Sequence, residues 1–114
     1  MTNEDLVKHV EGIGLKAEIF DVPGVSRYIV IREYEIRAGR LNGRKVDVAL
    51  QWMPQIPYVA PSAVHVSPHL VAMGSANSQG SPIGASWQYL SRVLRVVPTP
   101  SAIVTHIATV LAEL

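Results

Sequence analysis

The 114-residue chain is 48% hydrophobic and 17% charged, with a formal net charge of +1. That is the length of one domain, at roughly 100–200 residues each, with apolar surface enough for a core. Disorder is excluded on composition, and the charge gives no pull toward polyanions. No cysteine is present, which excludes disulfides, thiolate metal sites and thiol nucleophiles.

The opening MTNEDLVKHVEG lacks both the basic leader and the apolar run of an export signal. No stretch approaches the roughly 18 apolar residues that span a bilayer. The expectation is a soluble, cytoplasmic single domain over residues 1–114. Thr2 followed by Asp5 reads as a helix start, the hydroxyl capping a free amide and the carboxylate meeting the positive end of the dipole. Leu6, Val10 and Ile13 recur on one face beside Val7, and Gly12 and Gly14 supply the stop.

Extended signals follow. Residues 16–20 read as a first strand, ended by the turn signature Val22-Pro23-Gly24. Residues 28–36, YIVIREYEI, are rich in β-branched and aromatic side chains and read as a second strand. Asn42-Gly43 is the dipeptide best suited to a tight hairpin. Over residues 46–52, Val46, Val48, Leu50 and Trp52 alternate with Asp47, Ala49 and Gln51, the pattern of a strand packed on one side only. Pro54, Pro57 and Pro61 forbid a regular element through the next segment, and residues 63–66 read as a last strand before Pro68.

Residues 71–86, VAMGSANSQGSPIGAS, carry the longest loop signal. Trp87, Leu90 and Leu94 are spaced for a helical turn or two. Thr99-Pro100 opens a final helix, a hydroxyl cap followed by proline at the first helical position, with Ile103, Ile107, Val110, Leu111 and Leu114 as its buried stripe. The expected fold is α+β: a four-stranded antiparallel meander with helices on one face.

Between Asp47 and Arg92 there is no Asp, Glu, Lys or Arg, so paired-carboxylate chemistry cannot be built there. The segment reads either as core plus a loop or as the centre of a protein interface. His65 and His69 have a spacing that joins two imidazoles on a helix, but Pro68 stands between them and the flanks are strand-like. No metal site is expected, since one needs three or four ligands. Ser78, Ser81 and Ser86 offer hydroxyls, and His69 is a candidate base for Ser81. Gly80-Ser81-Pro82-Ile83-Gly84 approximates a nucleophile elbow with the wrong spacing, and nothing nominates a third, orienting residue. Arg37, Arg40, Arg44 and Lys45 form a basic hairpin tip that could touch phosphates. Lacking interleaved aromatics or a recognition helix, it makes nucleic-acid binding a weak reading beside that of charges guarding a strand edge.

In order and punctuation the chain resembles the ubiquitin-conjugating superfamily, in particular its prokaryotic branches. That family runs helix, four-stranded meander, proline-rich crossing, active-site loop, then helices. Residues 46–52 stand at its third strand, and Pro54, Pro57 and Pro61 resemble its Tyr-Pro-x-x-Pro-Pro crossing, with Ile56-Pro57 in place of the aromatic–proline pair. Ser67-Pro68-His69-Leu70 resembles its His-Pro-Asn-Ile motif; Trp87 and residues 99–114 resemble the tryptophan and the helix behind the loop.

Two departures bear on activity. The family's oxyanion-stabilising asparagine has no counterpart at His69. Its cysteine falls near Ile83 or Gly84, in a loop whose equivalent residues are Gly80, Ser81, Ile83 and Gly84. Neither side chain can form a thioester. The resemblance therefore implies an inactive variant or a binding platform, needing no cofactor and meeting a protein partner, a ubiquitin-like protein or its activating enzyme, through the first helix and the crossing.

Overall fold

The computed structural model describes all of residues 1–114 and is an α+β arrangement of two helices and one antiparallel sheet. Helix α1 (Asn3–Gly12) starts where the cap was expected. Thr2 Oγ1 accepts from the Asp5 amide at 3.1 Å and Asp5 Oδ2 accepts from the Thr2 amide at 2.9 Å, so each satisfies an amide that the first helical turn leaves free. Helix α2 (Pro100–Ala112) is capped by Thr99, whose hydroxyl accepts from the Ala102 amide at 3.1 Å.

Strands β1 (Lys16–Val22), β2 (Ser26–Glu35), β3 (Lys45–Gln51) and β4 (Ala63–Ser67) form the expected antiparallel meander. It does not stop at four. Strands β5 (Ser78–Gly80) and β6 (Gln88–Ser91) extend the sheet in the order β1-β2-β3-β4-β6-β5. Residues 87–97, read as helical from Trp87, Leu90 and Leu94, are instead a strand and an irregular segment. The free edge of β4 supplies a hydrogen-bonding partner that overrides the local spacing: Gln88 and Leu90 turn inward and are fully buried, while Tyr89 points to the other face. β5, hidden in a glycine- and serine-rich stretch, exists because β6 offers it an edge.

One face of the sheet carries the main core. Ile29, Ile31, Val48, Leu50, Val64, Val66 and Leu90 meet Leu6 and Val10 of α1 and Ile103, Ile107, Val110 and Leu111 of α2. The strand at residues 46–52 is not packed on one side alone. Ala49 is fully buried on the opposite face with Tyr28 and Val30, under Ile83 and Trp87 from the loop at 81–87. The β2–β3 connection also differs from a two-residue hairpin. It spans residues 36–44, because Ile36 and Leu41 turn into the main core and hold the loop over it.

Candidate functional site

Two regions hold the residues singled out above. The first joins the start of α1 to the proline-rich crossing. Asn3, buried at 7% exposure, donates from Nδ2 to the Met53 carbonyl at 2.8 Å and accepts from the Met53 amide at 3.0 Å. One amide side chain thus takes the place of a strand partner, which an irregular proline-rich segment cannot find for itself. Nothing in local sequence marks this clamp, since Asn3 reads as an exposed first-turn residue.

The clamp shapes a cleft of about 350 Å³ lined by Met1, Asn3, Trp52, Pro54, Ile56 and Pro57. Arg27 lies over the Trp52 ring, 5.5 Å from its centroid. Tyr58 closes this cleft and also lines a second one of about 390 Å³, with Val59, Val93, Leu94, Val96 and Pro98. Burial raises the Tyr58 hydroxyl above its ordinary pKa. Ile56 is 97% exposed, Val97 81%, Val96 61%, Val93 56% and Val59 51%, far more apolar surface than scattered single residues present. Pro54 and Pro57 line the first cleft, whereas Pro61 is buried and lines none of the clefts.

The second region lies on the opposite sheet face. His65, 4% exposed, sits edge-on between the Tyr28 and Tyr89 rings, with centroids 5.2 Å and 5.3 Å away. Its Nδ1 is 2.7 Å from Ser81 Oγ, which also accepts from the Ile83 amide at 3.2 Å. Ser81 therefore meets His65, not His69. His69 is exposed, with Nε2 3.1 Å from the Ala85 carbonyl oxygen. Ser78 donates to the Ala72 carbonyl oxygen and Ser86 accepts from Ser67. The three serines and His69 are each held separately.

No family model, no curated protein and no solved structure matches this chain. Its chemistry is therefore read from the geometry. Burial holds the His65 imidazole down at about 4, which makes it a weak base at neutral pH. No carboxylate in the surrounding segment is there to strengthen it, and Ser81 lines none of the clefts. The pair is better suited to holding the loop at 81–87 against the sheet than to activating a hydroxyl. Gly80 ends β5, Ile83 covers the small second core and Gly84 lies beside the Trp87 ring. Of the basic tip, Arg37 pairs with Glu35 at 3.4 Å and Arg40 donates to the Leu114 carbonyl oxygen at 3.3 Å, while Arg44 and Lys45 are exposed. Neither histidine joins a cluster of metal-ligand side chains, and no helix is long and apolar enough to cross a membrane.

The His65 pocket sets a pH dependence. The folded value of about 4 lies below the ordinary 6.5. As pH falls from 6.5 to 4, the unfolded chain takes up a proton that the folded chain refuses. Stability present above pH 6.5 is therefore lost across that window, by about 3 kcal/mol at its lower end, and levels off below it. Urea unfolding at several pH values should show this loss in the native chain and a much shallower one in His65→Gln. Equal slopes would show that His65 does not set it.

Proposed function

We propose that this chain is a non-catalytic, ubiquitin-conjugating-enzyme-like domain that holds a protein partner in a bacterial ubiquitin-like conjugation pathway. The partner on this reading is a ubiquitin-like protein or its activating enzyme. What carries the binding half is the largely apolar surface that runs from the start of α1 over Ile56 and Tyr58 to Val93 and Val96, with Glu4, Arg27 and Arg95 among or beside its residues. Such a surface is costly to leave in water, and apolar residues with a few charges around them are what interface cores and rims combine. The succession of helix, meander, proline crossing, loop and helix supports the pathway half. Strands β5 and β6 depart from the four-stranded pattern of that family. With no cysteine anywhere in the chain, an acyl group cannot be carried as a thioester.

The test is titration with a bacterial ubiquitin-like protein and with its activating enzyme under mild salt. The native chain should bind one of them and form no thioester when ATP is supplied. Ile56→Asp and Val96→Asp, both at exposed positions, should each weaken binding by about tenfold or more, as truncation at an interface centre does. Absence of binding by the native chain would remove the pathway reading. Undiminished binding by both variants would place the partner elsewhere on the molecule.

A further inference from the structure

The two edges of the sheet are unequal. β5 is three residues long, whereas β1 offers seven residues that pair with β2 on one side and with nothing on the other. The β1–β2 register runs without interruption from Lys16↔Arg32 to Val22↔Ser26. There is no proline or bulge to blunt the outer edge, so its backbone groups are free to take another strand. Apolar side chains stand exposed on both faces of it. Ile19, 54% exposed, lies opposite Ile29 on the helix side, and Phe20, 43% exposed, lies opposite Tyr28 on the other.

The charges of β1 are already satisfied within the chain. Glu18 is held by Lys16 at 3.2 Å and Arg32 at 3.1 Å, and Asp21 by Arg27 at 2.7 Å. An incoming strand therefore meets little unbalanced charge. Two further exposed apolar residues, Ile13 (51%) and Val25 (53%), lie equally far along the chain on either side of Ile19. Ile13 and Val25 thus flank the strand symmetrically about Ile19, whereas Phe20 has the ion-paired Glu18 as its counterpart.

We infer that the chain forms a two-fold dimer by antiparallel pairing of β1 with β1 of a second copy, centred on Ile19. A two-fold axis normal to the sheet keeps each side chain on its own face. Ile19 then faces its own copy, Ala17 faces Asp21, Glu18 faces Phe20 and Lys16 faces Val22. No like charges stand directly opposite. In the same register the end of α1, with Ile13, comes alongside the partner's β1–β2 turn, with Val25. Pairing of β1 with β5 would join far fewer residues, so the closed pair is preferred to an open chain of copies. The inference is independent of the partner surface around Ile56.

Sedimentation or light scattering over micromolar to millimolar concentrations tests it. The native chain should approach twice its 12.4 kDa mass. Ile19→Lys and Ile19→Glu should each weaken the dimer by about tenfold or more, through loss of apolar burial and through like charges facing across the axis. Mixing the two variants should restore pairing. Ile56→Asp should leave the dimer intact, which separates this surface from the other, and circular dichroism should show every variant folded. A native chain that stays monomeric throughout would overturn the inference. So would a dimer that persists in both charged variants, or a mixture that fails to pair.

Discussion

Replacing Gln88 by leucine should lower the unfolding free energy by about 3 kcal/mol, the cost of leaving buried backbone groups without partners. Gln88 is fully buried. Its Oε1 accepts from the Leu70 amide at 2.9 Å and from the Val71 amide at 3.3 Å, and its Nε2 donates to the Val71 carbonyl at 2.9 Å. The segment after Pro68 has no strand partner there, so this one side chain closes its hydrogen bonding. Leucine has a similar volume and fits the apolar surroundings, which isolates the polar loss from any cavity. The melting temperature should fall on the order of 10–20 °C, and hydrogen exchange at Leu70 and Val71 should accelerate ahead of that in β4. A variant with native stability would mean that the three backbone groups find water or another partner, and that the clamp is dispensable.

Gly39→Ala is the second large effect, with a loss of about 3 kcal/mol. Gly39 sits at φ +82, and a Cβ there would overlap the carbonyl of Ala112, lying 2.8 Å from its carbon. A left-handed backbone costs an L-residue roughly 1–2 kcal/mol, and forcing the loop at 36–44 away from the end of α2 adds a strain of about 1–3 kcal/mol. Gly43 provides the internal control. It has φ +90 but open space around its missing Cβ, so Gly43→Ala should show the backbone cost alone, roughly 1–2 kcal/mol. Denaturant unfolding of the two variants side by side separates the contributions. Equal losses would mean that the loop yields freely and that its packing on α2 contributes nothing.

These two residues also show where local reading stops. Gly39 was legible only as a loop residue, since its close neighbour Ala112 is remote in the chain. Gln88 fell inside a stretch whose Trp87, Leu90 and Leu94 spacing points to a helix. In the fold it lies on a strand, because β4 had a free edge to fill. Ser81 was paired in expectation with His69, yet it meets His65, and Asn3 was silent until its two bonds to Met53 appeared. Each of these depends on a contact between distant segments. A single sequence carries such contacts only through the whole fold.

What the sequence determined by itself is what consecutive residues can settle. Thr2 with Asp5 and Thr99 with Pro100 satisfy helix ends by local hydrogen bonding and preset dihedrals. The apolar residues of the second, third and fourth strands divide the faces of a sheet, and a missing cysteine removes thioester chemistry whatever the fold. Tertiary structure decided how far the sheet extends, which residues close the proline crossing, what covers the second face and which edge stays open. Those are matters of pairing across the chain, where a strand edge or a buried amide is satisfied by whichever group the packing brings near, and local spacing yields to it.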